Sequence, residues 1–189
     1  MEIRCKGFRV YLKTLGIDDA DDFAALVNDP DILMRLSNDK PIPYQRENAL
    51  GSIERATMHL MDGTGYAFTI RLEENGKMIG RIDYRELSKI DRHANIGYWL
   101  GKEYWGRGYA KEAIRLMLWF GFKKVKLHRV HAYVYDTNEP SLKVLGSLGF
   151  VKEGTLRDNS FNNRRFLNDV LFGILENEHK DMINPEVVE

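Results

Sequence analysis

The sequence predicts a single α/β (α+β) domain built around one substantial mixed sheet. Three observations carry that expectation. Residues 66–87 hold two strand-like runs around Asn75-Gly76, a residue pair suited to a tight hairpin. Residues 97–113, GYWLGKEYWGRGYAKEA, end a strand, turn on two glycines and begin a helix at once. Strands and helices are mixed along the rest of the chain in an order that suits one sheet covered by helices. With 189 residues, 43% apolar and 11% aromatic, there is material for one core, and two domains would be small. No repeat, low-complexity tract or linker divides the chain. One domain is expected over residues 1–178, with a polar, acidic tail at 179–189 that should fray.

Each element has its own signal. FRVYLKTL (8–15) alternates as a strand does. Asp18 or Asp19 can cap a helix that runs to about Val27 and stops near Pro30. Residues 44–61 read as a second helical region, ended by Asp62-Gly63-Thr64-Gly65. After the hairpin, ANIGYWLG (94–101) is a strand. A helix from about Gly108 to Lys124 then places Ile114, Leu118 and Gly121 along one face. HRVHAYVY (128–135) alternates again, residues 139–148 form a short helix, and two strands lie within 150–157 and 165–176.

Composition excludes several classes. Lys plus Arg and Asp plus Glu balance at 28 each, so binding of nucleic acid by bulk charge is not expected. Cys5 has no partner for an intramolecular disulfide, and no cysteine cluster could hold zinc. His128 and His131, three apart on a strand, face opposite sides, and His59, His93 and His179 are scattered; no metal is expected. MEIRCKGFRV lacks the apolar core of a secretory signal. The longest nearly unbroken apolar run, LMLWFGF at 116–122, falls far short of the roughly 18 residues a membrane span needs. A soluble, cytoplasmic protein without a membrane partner is expected.

Charge is unevenly placed. Residues 16–31 carry Asp18, Asp19, Asp21, Asp22, Asp29 and Asp31 with no basic residue, which reads as a solvated face, or as an attraction for a cationic ligand if it lines a pocket. Residues 101–131 carry eight Lys or Arg against two Glu, around the glycine-bearing turn. A helix start there leaves backbone N–H groups unpaired at the positive end of the dipole. Gly106 and Gly108 let the main chain approach a bulky anion, and Arg107 and Lys111 add positive charge. The segment is not a P-loop, because Tyr109-Ala110 follows Gly108, nor a dinucleotide fingerprint, because position 111 is Lys. By itself it is equally well a plain tight turn.

A second segment adds to it. NEPSLKVLGSLGF, 138–150, resembles the Asn-x-x-Ser/Ala…Gly-Phe signature of GNAT-superfamily acetyltransferases. Trp105-Gly106-Arg107-Gly108-Tyr109-Ala110 then resembles their Gln/Arg-x-x-Gly-x-Gly/Ala pyrophosphate loop. Ile96-Gly97-Tyr98-Trp99-Leu100 before it and Glu112-Ala113 after it look like the RimJ/RimL branch, which includes enzymes that acetylate N-terminal amines of ribosomal proteins. The resemblance spans roughly residues 8–178. It implies a GNAT-like domain with a twisted, mixed, mostly antiparallel sheet, splayed central strands and helices on both faces. It also implies acetyl-CoA as co-substrate, no metal, and an amine acceptor met by a monomer or homodimer. That acceptor is a protein or peptide N-terminus, or a small molecule such as a polyamine, an amino sugar or an antibiotic. From another class comes a non-catalytic acyl-CoA-binding module.

The resemblance assigns roles residue by residue. The N–H groups of Gly106, Arg107, Gly108, Tyr109 and Ala110, flanked by Trp105 and Lys111, would hold the pyrophosphate. The strand before the loop would carry a bulge, and its backbone around Tyr98, Trp99 and Leu100 would hold the pantetheine arm. One N–H near Trp99 or Leu100 would polarise the thioester carbonyl, a contribution of about 3 kcal/mol per donor. Asn138 would bind a pantetheine amide, or it caps the helix that Pro140 opens. Ser141 would help the thiolate leave, or it is a first-turn helix residue.

Three positions depart from the pattern. Trp105 stands where relatives have Gln or Arg. Leu145 replaces a common tyrosine acid, leaving Ser141 as candidate. Asn95 replaces a frequent Glu, which removes the obvious base and mildly favours an α-amine acceptor over lysine. Asp83, Glu103, Tyr135 and Asp136 are lesser candidates for the base. Acceptor choice would come from residues 30–60 and 157–166, where Arg157, Arg164 and Arg165 either attract an acidic peptide or are solvated.

Overall fold

The computed structural model describes residues 3–36, 41–162, 164–180 and 185–188. The elements follow in chain order: β1 (Arg4–Lys6), β2 (Val10–Thr14), α1 (Ala20–Val27), α2 (Pro30–Leu33), α3 (Arg46–Asp62), β3 (Tyr66–Leu72), β4 (Met78–Ser88) and β5 (His93–Leu100). The second half contributes α4 (Tyr109–Trp119), β6 (Arg129–Tyr135), α5 (Glu139–Ser147), β7 (Val151–Asn162), β8 (Arg165–Leu175) and β9 (Glu186–Val188). The strands form one sheet in the order β7-β8-β6-β5-β4-β3-β2-β1-β9. Every pairing is antiparallel except β5 with β6. This is the mixed, mostly antiparallel sheet that the sequence predicts.

Strand alternation sends side chains to two cores. Ile70, Ile82, Ile96, Val130 and Phe172 pack on one face with Ile114 and Leu118 of α4 and Leu145 of α5. On the other face Phe23 and Val27 of α1 meet Ala49 and Ile53 of α3. Helices thus cover both faces.

The parallel pair fixes where the sheet opens. β5 and β6 pair only through His93 with Arg129, Ala94 with Val130 and Asn95 with His131. Beyond that point β5 stays with β4 as far as Leu100, and β6 stays with β8 as far as Tyr135. Each strand keeps its outer partner and loses its inner one. The gap between them is the expected splay. The bulge expected on β5 lies on its neighbour instead, because the β4–β5 register slips between Arg85 and Ser88, where Glu86 has φ 53°.

Other differences have local causes. Asp19 does not cap α1; its carboxylate accepts from the Gly16 N–H and pairs with Arg71. α1 ends at Val27 as expected, and Pro30 then opens a further short helix, α2, capped by Asp29. Within the tail expected to fray, Glu186–Val188 pair with β1, while residues 181–184 and 189 lie outside the described residues. The long helix keeps α-geometry only to Trp119 and continues in π-helical turns over Phe120–Val125. At that junction the buried Tyr84 hydroxyl donates to the Met117 carbonyl at 2.7 Å, occupying an acceptor of the helical ladder. Burial pushes the Tyr84 phenol well above its ordinary pKa, so it stays a donor. Tyr84→Phe removes that bond, leaving the Met117 carbonyl to the Phe120 N–H, and should cost about 1 kcal/mol in chemical denaturation.

Candidate active site

The glycine-bearing loop leads into α4 without a side-chain cap. Gly108 is the N-cap at φ 81°, and Gly106 lies at φ 72°, both in the left-handed region that favours glycine. A Cβ on Gly106 would meet nothing within 4 Å, so the main chain there is open to a ligand. The first N–H groups of α4 therefore face the loop with no protein acceptor from the cap.

A buried carboxylate holds this loop in place. Glu112, in the first turn of α4, accepts from the N–H groups of Phe8 at 2.8 Å, Arg9 at 2.7 Å and Val10 at 3.2 Å. Its second oxygen takes the Arg9 Nε at 3.1 Å. Arg9 also donates to the Arg107 carbonyl at 3.0 Å and lies over the Tyr109 ring. On the other side the Trp105 indole donates to the Leu100 carbonyl at 2.8 Å, bracing the end of β5. The aromatic side chain that departs from the family pattern thus has a bracing role, and Leu100 O is already engaged.

A cavity of about 360 Å³ lies along this loop and the gap. Of the residues the sequence predicts here, Tyr98, Trp99, Leu100, Trp105, Gly106, Gly108, Tyr109, Ala110, Lys111, Asn138 and Ser141 line it. Arg107 does not; the structure uses its carbonyl to fix Arg9. Asn138 Oδ1 reaches the Ser141 N–H at a long 3.5 Å and accepts from Arg35 Nη1 at 3.0 Å. It is both cap and wall.

Ser141 has a neighbour that the sequence did not indicate. The Tyr98 hydroxyl is buried beside it without completing a hydrogen bond of good geometry. Burial raises the Tyr98 pKa and the Ser141 hydroxyl partly offsets that, so the phenol remains protonated at neutral pH. Leu145, at the position of the missing tyrosine, is fully buried in the core and does not line the cavity.

A second cavity, of about 1100 Å³, opens on the α1–α3 face. It shares Arg35, Leu36, Tyr98, Trp99, Asn138 and Ser141 with the first, so the two meet at the splay. Asp83 lines it, 7% exposed, but Arg81 at 3.0 Å and Arg85 at 2.9 Å neutralise it. Tyr135 also lines it, whereas Asp136 and Glu103 do not. From the segments expected to frame the acceptor come Tyr44, Ser52, Asn159 and Ser160; Arg157, Arg164 and Arg165 are exposed and line neither cavity. Residues 37–40 and 163 lie outside the described residues. None of the six aspartates of 16–31 lines either cavity; Asp21 pairs with Arg46 and Asp31 with Lys102. Among the described residues no group of three metal-ligating side chains gathers. No described helix is long and apolar enough to cross a membrane.

Sequence reasoning missed Arg35, whose guanidinium also lies over the Trp105 ring, and the bonding of Glu112. Glu112→Ala leaves three backbone donors and Arg9 without their acceptor. It should cost about 3 kcal/mol in denaturant unfolding and weaken acetyl-CoA binding in the same preparation, read by calorimetric titration.

Comparison with known proteins agrees with this geometry. The model of the acetyltransferase (GNAT) domain matches residues 9–151. The uncharacterised N-acetyltransferase p20 of Bacillus licheniformis is 31% identical over 171 residues, covering 90% of this chain and 95% of its own. Spermidine N(1)-acetyltransferase of Escherichia coli K12 is 26% identical over 64% of each chain. RimJ of Mycobacterium smegmatis, solved in complex with CoA-disulfide, superposes with a TM-score of 0.83 at 24% identity, covering 94% of this chain and 87% of that one. The superposition on RimJ shows a shared fold. The chain belongs to the GNAT family, as an acetyl-CoA-dependent N-acetyltransferase.

Proposed function

We propose that this enzyme acetylates the α-amine of a peptide or protein N-terminus, by direct attack within a ternary complex. The observation that carries the acceptor is the cavity of about 1100 Å³ that meets the co-substrate side at Tyr98, Trp99, Asn138 and Ser141. It stands at the upper end of the roughly 300–1000 Å³ typical of small-ligand pockets. Its lining also mixes signs, with Arg35, Arg55, Arg81 and Arg85 among carboxylates, which suits a peptide better than a polycation. The likeness to spermidine acetyltransferase makes a polyamine the rival acceptor.

Acetyl-CoA supplies the thioester carbonyl. The N–H groups of Gly106 to Ala110, at the uncapped start of α4, would hold its pyrophosphate. The edge of β5 freed by the splay would take the pantetheine arm as an added strand, with Asn138 facing it from α5. A backbone N–H near Trp99 or Leu100 would stabilise charge on the carbonyl oxygen. Ser141, backed by the protonated Tyr98 phenol, would give the departing sulfur its proton. An α-amine, with an ordinary pKa of about 7.7–8.0, is about a tenth neutral at pH 7 and needs less help than lysine. Use of acetyl-CoA fits a cytoplasmic setting.

Thiol release from acetyl-CoA, measured against N-terminal peptides, polyamines and amino sugars, tests the acceptor. Faster turnover of the peptide pool is expected, and preference for polyamines would overturn it. Ser141→Ala should lower kcat about a hundredfold while the acetyl-CoA Kd stays within twofold. Equal loss of turnover and affinity would remove the acid role.

A further inference from the structure

Four carboxylates with side chains in the interior stand out: Asp19, Asp83, Glu112 and Asp169. Three are paired with arginine, Asp19 with Arg71, Asp83 with Arg81 and Arg85, and Glu112 with Arg9. Asp169 is different. It is 4% exposed, yet its described partners are neutral: Asn159 Nδ2 at 2.7 Å and Ser160 Oγ at 2.6 Å, both on the same Oδ2. Both donors are neutral, so no cationic partner of Asp169 is described.

Asp169 lines the larger cavity, together with Asn159, Ser160, Tyr133 and Tyr135. On β8 it pairs with Tyr135 of β6, the residue just before the turn that leads to Asn138 and Ser141. That turn is tied to β8, since Asn168 Nδ2 donates to Asp136 at 2.8 Å and the Asp136 N–H donates to the Asn168 carbonyl at 3.0 Å. On the other side the β7–β8 register slips between Leu156 and Ser160, and Asp158 takes φ 51°. The slip brings Asn159 and Ser160 onto the carboxylate, a use of a bulge to re-aim side chains. Tyr133 and Tyr135 of β6 share this cavity wall with the neutral side chains of β7; of the cavity's cationic residues, Arg81 and Arg85 are engaged with Asp83 and Arg35 with Asn138, while Arg55 and His59 line it from α3.

We infer that Asp169 is the catalytic carboxylate of the acceptor side, which receives the incoming ammonium as counter-ion and removes its first proton. One N–H bond of the ammonium breaks and its proton goes to Asp169, leaving a neutral amine with a free electron pair. That pair forms the C–N bond as the C–S bond breaks. The nitrogen's surplus proton balances the thiolate by way of Ser141, and the proton on Asp169 leaves through the cavity to water. Asp169 thus fills the role that Asn95 leaves open. The inference rests on amine acetylation and not on which amine is used.

The test takes the best amine from the thiol-release screen, peptide or polyamine, and its aminooxy counterpart, which is uncharged at pH 7 and needs no first deprotonation. Asp169→Asn should lower kcat/KM on the amine about a hundredfold and on the aminooxy acceptor far less, with the acetyl-CoA Kd unchanged. Ser160→Ala, which keeps the charge but loses the donor that aims it, should move the same ratio in the same direction by severalfold. Equal loss on both acceptors, or no change in the ratio for either variant, would overturn the assignment. A polyamine preference in the screen would overturn the peptide reading and leave this comparison intact.

Discussion

The glycine loop, where we propose acetyl-CoA is held, depends on one buried carboxylate. Glu112 belongs to the helix that follows the glycine loop, yet its acceptors serve the chain entering β2. Anchoring there matters because a loop that binds an anion through its own N–H groups must leave those groups free of internal partners. Such a loop cannot stabilise itself. Its position has to be imposed from outside, and Glu112, Arg9 and the Trp105 indole impose it from two directions.

The same logic applies to the splay. Three residue pairs join β5 to β6, just enough to set their relative position, and the outer pairings carry both strands onward. Backbone groups left without a neighbour on β5 are costly in isolation but become a template for an extended ligand. The fold thus creates its binding edge by ending a ladder early, while α5 sets Asn138 and Ser141 opposite the opening.

Local chemistry was legible in the sequence. Asn75-Gly76 marked its hairpin because turn geometry is set by two residues, and Gly76 indeed takes φ 72°. The loop and α5 were legible because the motifs that mark them are runs of consecutive residues. Long-range pairing was not. Glu112 meets partners more than a hundred positions earlier, which no spacing rule reports. Asp169 carries no local signal, since its environment depends on a register slip in β7 that only the paired strand reveals. The three-residue strands β1 and β9 were too short for periodicity to register.

The family match over residues 9–151 stops where β7 begins. Glycine loop, splayed edge and α5 all fall inside it, whereas Asn159, Ser160 and Asp169 fall outside. The part of the amine-side wall around Asp169 is thus written in a separate stretch of chain from the part that would handle the thioester, while Tyr44, Ser52, Arg81 and Asp83 of the same wall lie inside the match. Changes at Asn159, Ser160 and Asp169 would alter the proposed amine side while leaving the glycine loop and the Asn168 tie to the turn before α5 in place. A lineage built this way can change its acceptors while keeping its donor, by drift confined to one end of the sheet.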